Sequence, residues 1–503
     1  MKAKDSRILR KRKQKLNKRL ERRQYAAQSR PMFRAQNIHY EMADRMRAID
    51  CGALGGFHLL ARNTGLVRAI DEKLHVLKRH LPYHESDHVL NIAYNTLAGG
   101  TCLDDIELRR NDEAYMDALG AERIPDPTTA GDFTRRFSEQ DVLDLMEAVN
   151  RIRPRMWKKG LKGSERKEAI LDVDGTLAPT TGECKEGMGL AYNGVWGYHP
   201  LLVSLANTQE PLYLVNRSGN RPSHDCAAEW LDRAIALAGQ SFERVCLRGD
   251  TDFALTENFD RWTEDGVRFA FGKDATKNLV DMAEGLDRGR WQALERRERL
   301  PSDRKKRKRP VNVKEQIVVE KQYKNITLEK EHVAEFSYQP SKCKHPYRLI
   351  VLRKKLLVEQ GQMVLCDDVR YFFYITNIED MSPAEVVFFS NERCNQENLI
   401  EQLKNGLNAL RMPVGDLVSN WAYMIMSSLA WTLKAWFALL VRHAQRREEL
   451  LKMEFRRFLN TIVRLPTQIV RGGHRILYRI LGYNDWTRTF LETYDRIGQL
   501  RLA

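Results

Sequence analysis

EAILDVDGTL, residues 168–177, is the stretch whose reading decides the fold. Its apolar residues Ala169–Leu171 and Val173 make a short continuous run that closes on Asp172, Asp174 and Gly175. Such a run reads as a buried strand, and this one delivers carboxylates to its end. Working outward, Leu201–Ala206 and Leu212–Asn216 read as two more strands, with turn residues Asn207–Pro211 between them. Asp225–Leu237 reads as a helix, and Arg244–Arg248 as a strand that ends in the VCLRGDTDF segment (245–253). The order is strand, strand, strand, helix, strand, and neighbours on short connections pair antiparallel. Residues two apart on a strand share a face. Side-chain direction therefore leaves Asp172 in competition with Asp174, and Asp252 in competition with Asp250.

A third carboxylate lies far downstream, among cations. Arg393, Glu397 and Lys404 are spaced by 4 and 7 residues. On a helix of about 100° per residue, Glu397 falls roughly 40° and Lys404 roughly 20° from Arg393, one stripe about 40° wide. Glu401, about 80° away, is the weaker choice. Taken alone, Arg393–Glu397 is an ordinary helix salt bridge worth about 0.3–0.5 kcal/mol. Joined to Asp174 and Asp250, Glu397 completes a set of three carboxylates suited to holding two divalent metals and cleaving phosphodiesters. Their mutual repulsion without metal makes metal binding favourable.

The 503-residue chain is long enough for two to four domains, and 43% apolar content supplies a sizeable core. A net charge of +16 and a pI near 9.4 favour a polyanionic partner, nucleic acid before an anionic membrane. Eight cysteines without a CxxC pair read as reduced thiols of a cytoplasmic protein rather than a zinc knuckle. No apolar segment follows the early charges as in a signal peptide. Leu417–Leu433 carries Ser419, Asn420, Ser427 and Ser428 and reads as a core helix, not a membrane span.

Residues 1–36 read as a basic arm that neutralises phosphates. Residues 37–160 read as a helical domain suited to binding DNA ends, with a helix start at Asp126-Pro127-Thr128-Thr129. A first core segment, 165–283, carries Asp174 and Asp250. The strand-like runs QIVVEKQY, HVAEFSYQ and YRLIVLRKK place a linker and β-rich insertion at 284–366. Residues 367–440 form a second core segment with the Glu397 helix, which opens on a capping box at Ser382–Glu385. Residues 441–503 read as mainly helical, with basic clusters at Arg442–Arg447 and Arg471–Arg479. Arg217, Asn220 and Arg248 are candidate DNA contacts. Trp196, Trp421, Trp431 and Trp436 belong either to the core or to base stacking.

DVDGTL (172–177) resembles the nucleophile motif of haloacid-dehalogenase-type phosphatases, which would make Asp172 the nucleophile and Asp174 the acid/base. That family puts its motif on a strand running directly into a helix, whereas here three strands precede any helix. The strand order is that of a ribonuclease-H-like fold, in which the first and fourth strands adjoin and Asp174 meets Asp250. The fold class is thus mixed α/β, a ribonuclease-H-like core interrupted by an insertion. Arg393-x3-Glu397-x6-Lys404 resembles the Tyr-x2-Arg-x3-Glu-x6-Lys signature of DDE transposases of the IS-four superfamily, with Ser390 at the tyrosine position. LAGGTCLDDIELRRND (97–112), IPDPTTAGDFTRRF (124–137), YNGVWGYHPLL (192–202), NRSGN (216–220) and RGDTDF (248–253) are similar to the IS-thirteen-eighty branch.

The resemblance implies cut-and-paste transposition at terminal inverted repeats of double-stranded DNA, by a homodimer holding paired ends. It implies Asp174, Asp250 and Glu397 as ligands of two Mg²⁺ ions, with Mn²⁺ substituting. Asp174 is preferred over Asp172 because the superfamily's first Asp precedes a Thr by one or two places. Arg393 and Lys404 would hold DNA phosphates. The alternative is a catalytically inactive relative that only grips DNA.

Overall fold

Two parallel strands carry the acidic ends that the sequence singles out. In the computed structural model, which describes residues 2–21, 38–40, 46–80, 82–180, 182, 184–191, 193–296, 323–360, 365–472 and 475–501, the chain forms two compact units. One comprises Lys167–Gly175 and Pro222–Glu397. The other comprises Met1–Arg166, Thr176–Arg221 and Asn398–Ala503.

The first of these units is mixed α/β. Its principal elements are β1 (Glu168–Gly175), α1 (Ala227–Gly239), β2 (Arg244–Gly249), β3 (Arg268–Lys273), β4 (Tyr323–Tyr338), β5 (Tyr347–Gln360), β6 (Leu365–Thr376), α2 (Pro383–Asn391) and the start of α3 (Cys394–Glu401), which belongs to this unit as far as Glu397. Within it the sheet runs β4-β5-β6-β3-β2-β1, with the short strand Gln292–Ala293 beyond β4. β1, β2 and β3 are parallel neighbours, and β6 joins β3 antiparallel. The first and fourth strands of the sequence reading are thus side by side, as expected. β3 is a strand the sequence reading did not reach.

The runs expected as an insertion do form long strands, β4 and β5, and they continue the same sheet through β6. Apolar alternation explains this: Val333, Ile350 and Leu352 present one face, against which α2 buries Val386 and Val387. The capping box at Ser382 and Glu385 starts α2 as expected. The KR-rich run 303–310 and most of QIVVEKQY lie outside the described residues.

The other unit is built on the helix Leu417–Leu439, buried from Ser419 to its end. It carries no acidic residue, and Lys434 is its one basic residue. Among the described residues no helix is long and apolar enough to cross a membrane. Trp421, Trp431 and Trp436 are core residues, whereas Trp196 is 53% exposed. Glu210, fully buried, accepts from the indoles of Trp157 (2.7 Å) and Trp436 (2.9 Å) and pairs with Arg153. Each polar atom so enclosed needs a partner, and this cluster provides them. Residues 54–160 are helical as read, and Asp126 caps Pro127–Thr134 by accepting from the Thr129 amide at 2.8 Å.

One expectation for this unit changes. The stretch with Arg471, Arg475 and Arg479 is a β-hairpin, Thr467–Gly472 with Arg475–Ile480, to which Ala48–Ile49 adds a third strand. The described part of the basic arm is a helix, Ala3–Glu21, that buries Leu9. Arg12 of that helix donates to the Ile480 and Gly482 carbonyls at 3.0 and 2.8 Å.

Candidate active site

Parallel pairing in register, Leu171 with Leu247 and Asp172 with Arg248, sets the site. Asp174 and Asp250 each follow that last pair by two residues, so both emerge at the same end of adjoining strands. Gly249 lets β2 end there: a Cβ on it would stand 3.0 Å from both Val173 Cγ1 and Phe253 Cβ. The Asp250 carboxylate accepts from the Asp252 amide at 3.0 Å, which fixes its rotamer and turns Asp252 outward to solvent. Arg393, in the turn between α2 and α3, brings its guanidinium to 4.0 Å from Asp250.

Electrostatics show which groups face one another. Burial pushes the Asp174 carboxyl up to about 7, and the Asp250 and Glu397 charges add to the shift while Arg393 opposes it. Burial raises Asp250 as well, against the pull of Arg393. Asp174, Asp250, Glu397 and Arg393 therefore share one field. They are not a closed cage: among the described residues no three His, Cys, Asp or Glu side chains are drawn tightly enough to hold a metal ion. The chemistry of the donor set nonetheless fits a divalent cation. It is all oxygen and anionic, and burial holds the Asp174 carboxyl near 7, so a bound cation would favour its ionised form.

Behind this front row lies a buried ion pair. Arg248 and Asp172 are each 1% exposed and meet through two hydrogen bonds of 2.6 and 2.9 Å. Burial opposes the Arg248 charge, and the Asp172 carboxylate more than offsets that, so the guanidinium stays charged. Arg248 also donates to the Phe389 carbonyl of α2 at 2.8 Å and lies 4.9 Å over the Phe389 ring. Gln396, buried on α3, donates its side-chain amide to the Asp172 carbonyl at 2.9 Å. Adjoining Glu397 in sequence, it ties the Glu397 helix to the strand that bears Asp174.

The structure thus separates the competing aspartates. Asp172 is enclosed and neutralised, which also removes the exposed nucleophile that the phosphatase reading needs. Arg248, expected among DNA contacts, is an interior residue whose donors are committed to Asp172 and Phe389. Arg217, expected there too, is 8% exposed and donates from Nε to the His199 carbonyl at 3.0 Å. Asn220 is exposed, and Lys404 is half-buried. Both lie, with Arg217, in the other compact unit.

The single helical stripe also changes. Arg393 precedes α3, and Lys404 stands in a π-helical turn, Gln402–Gly406. The 100° arithmetic holds only between Cys394 and Glu401. Sequence reasoning weighed Asp172 as a ligand and Arg248 as a DNA contact, and missed Gln396 and the pairing of Asp172 with Arg248. The available signal was the shared spacing, each member of the ion pair two residues ahead of an exposed-end aspartate.

A pH effect follows from Asp174. Its unfolded carboxyl titrates near 4, and its folded one near 7. The folded state therefore binds the proton more tightly, and stability falls as pH rises from about 4 through 7. Asp174→Asn removes that loss. Without metal, thermal melts from pH 5 to 8 should show the variant gaining on wild type by about 2–3 kcal/mol. Parallel curves for the two proteins would refute a strained Asp174.

Residues 50–502 match the family model described as transposase DDE domain group 1. No curated protein matches the chain. Among solved structures, a cryo-EM structure of piggyBac transposase synaptic complex with hairpin DNA is similar at 11% identity and a TM-score of 0.33, covering 83% of this chain and 86% of that one.

Proposed function

We propose, from the premise that this chain belongs to the transposase DDE domain group 1 family, that Asp174, Asp250 and Glu397 form the metal-binding site of a cut-and-paste DNA transposase. The observation that carries this assignment is geometric: Asp174 and Asp250 emerge at the same end of adjoining parallel strands, with Arg393 4.0 Å from Asp250 and the residue before Glu397 bonded to β1. Two Mg²⁺ ions bound there, with Mn²⁺ substituting, would activate the attacking water or 3′-hydroxyl and stabilise the leaving oxygen. Arg393, already beside Asp250, would meet the phosphate flanking the cut. Arg248 and Gln396 would hold both strands and the Glu397 helix in place while the phosphate changes geometry. The ribonuclease-H-like description of the core, the IS-thirteen-eighty branch and the homodimer on paired ends belong to the same proposal.

Double-stranded DNA is the partner that the +16 charge favours. Lys404 and Asn220 are the remaining candidates for backbone contact; Arg217 is better suited to holding its own loop. The assay is strand cleavage of a plasmid carrying the inverted repeats that flank this coding sequence. Cuts at the repeat ends that require Mg²⁺ or Mn²⁺ and vanish with chelator are expected. The open arrangement of the carboxylates supports a second reading, a relative that grips DNA without cutting it. Tight binding of the repeats with no cleavage at any metal concentration would favour that reading and overturn the first.

A further inference from the structure

A cavity of about 550 Å³ opens between the helices Glu85–Leu97 and Pro127–Thr134, remote in sequence from Asp174, Asp250 and Glu397. That volume is within the roughly 300–1,000 Å³ of small-molecule pockets. Its lining has three chemical parts. Lys78, Arg79 and Arg136 are exposed cations at its margin. The sole acid among its described lining residues, Asp132, is paired with Arg135 at 2.6 Å. Tyr83, half-buried, offers an aromatic surface, and its ring meets His88 edge-on at 5.4 Å.

His88 is the telling residue. It is 4% exposed, stacks on buried Phe133 at 4.2 Å, and lines the cavity. Its Nδ1 is buried without a hydrogen-bond partner among the described residues. A buried polar atom left unsatisfied is costly, and a ligand that bonds to it removes that cost. Burial lowers the imidazole to about 4, so at neutral pH it is uncharged. A neutral imidazole has one donor and one acceptor nitrogen. That polarity suits the edge of a heterocycle better than a phosphate, for which the marginal cations are already present.

We infer that this cavity takes a single unpaired nucleotide of a DNA strand, its base against Tyr83 and bonded to His88, its phosphates against Lys78, Arg79 and Arg136. The inference rests on the reading of DNA as partner and deepens it. Base–aromatic stacking and flanking cations are the general means of holding unpaired bases, and bases swung out of a duplex bind in such pockets.

The test compares two fluorescein-labelled repeat duplexes with the full-length protein, one fully paired and one with a single-nucleotide bulge. Wild type should bind the bulged duplex about tenfold more tightly. Tyr83→Ala and Arg136→Ala, both on partly exposed side chains, should erase that preference, and Tyr83→Phe should keep it. Circular dichroism melts establish that the variants fold. Equal affinity of wild type for the two duplexes would overturn the inference. So would variants that weaken both duplexes equally, since that marks a backbone contact alone. Either result is distinguishable from failure of the transposase reading, which is measured by metal-dependent cleavage of the paired plasmid and its loss in Asp250→Asn.

Discussion

Asp250→Asn and Glu397→Gln should each lower strand cleavage by at least about 10³-fold while leaving affinity for the repeats within about threefold of wild type. Both substitutions keep size and hydrogen-bonding shape and remove the charge on which a divalent ion depends. Asp250→Asn also retains an oxygen for the Asp252 amide, so the turn after β2 should survive. Glu397 is exposed in the first turn of α3, and among the described residues its carboxylate makes no hydrogen bond or ion pair. Loss of cleavage with melting temperature preserved is therefore the expected pairing. Cleavage at wild-type rate by either variant would remove that residue from the site. Asp174→Asn should behave in the same way for catalysis, with the added gain in metal-free stability.

The largest effect on stability is expected behind the site. Asp172→Leu or Arg248→Met alone leaves a buried charge without its main partner, although exposed Glu392 stays 3.6 Å from Arg248, and should cost about 3–5 kcal/mol in chemical denaturation. The double variant leaves none, and it should recover most of that loss, because well-packed apolar pairs often equal buried ion pairs in stability. It should not recover cleavage. Arg248 also holds the Phe389 carbonyl of α2, the helix that leads into α3, and the double variant loses that bond while Gln396 keeps its own to β1. A double variant as impaired as the singles would show the pair to be individually required contacts rather than one coupled unit. A double variant with full cleavage would remove the positioning role.

Much of this arrangement was legible. A continuous apolar run ending in acids announces a strand and its functional end, and short connections announce neighbours. The capping box at Ser382 and the Asp126 cap were readable because caps are local. The uncharged face of Leu417–Leu433 identified a buried helix for the same kind of reason. What escaped was tertiary. Arginine is ordinarily a surface residue, and nothing within RGDTDF reveals that Arg248 faces Asp172 across a strand pair. The hairpin at Thr467–Ile480 was hidden by Arg471, Arg475 and Arg479, whose spacing of four imitates a helix face. Gly472 and Gly473 between alternating apolar residues were the better signal. The π turn at Gln402–Gly406 has no sequence signature, so the position of Lys404 could not be computed from helical angles. His88 and its cavity depend on two helices meeting, and spacing alone does not disclose that.

The buried pair has an evolutionary consequence. A lineage that loses Asp172 or Arg248 singly crosses a valley several kcal/mol deep, close to the whole margin by which a domain stays folded. Replacement in tandem crosses no such valley. The two positions should therefore drift together among descendants of this chain, whereas Asp174 and Asp250, two residues further along the same strands, should tolerate no exchange at all. Packing and catalysis would leave different signatures in adjacent columns of one alignment, and the spacing of two residues would tell them apart.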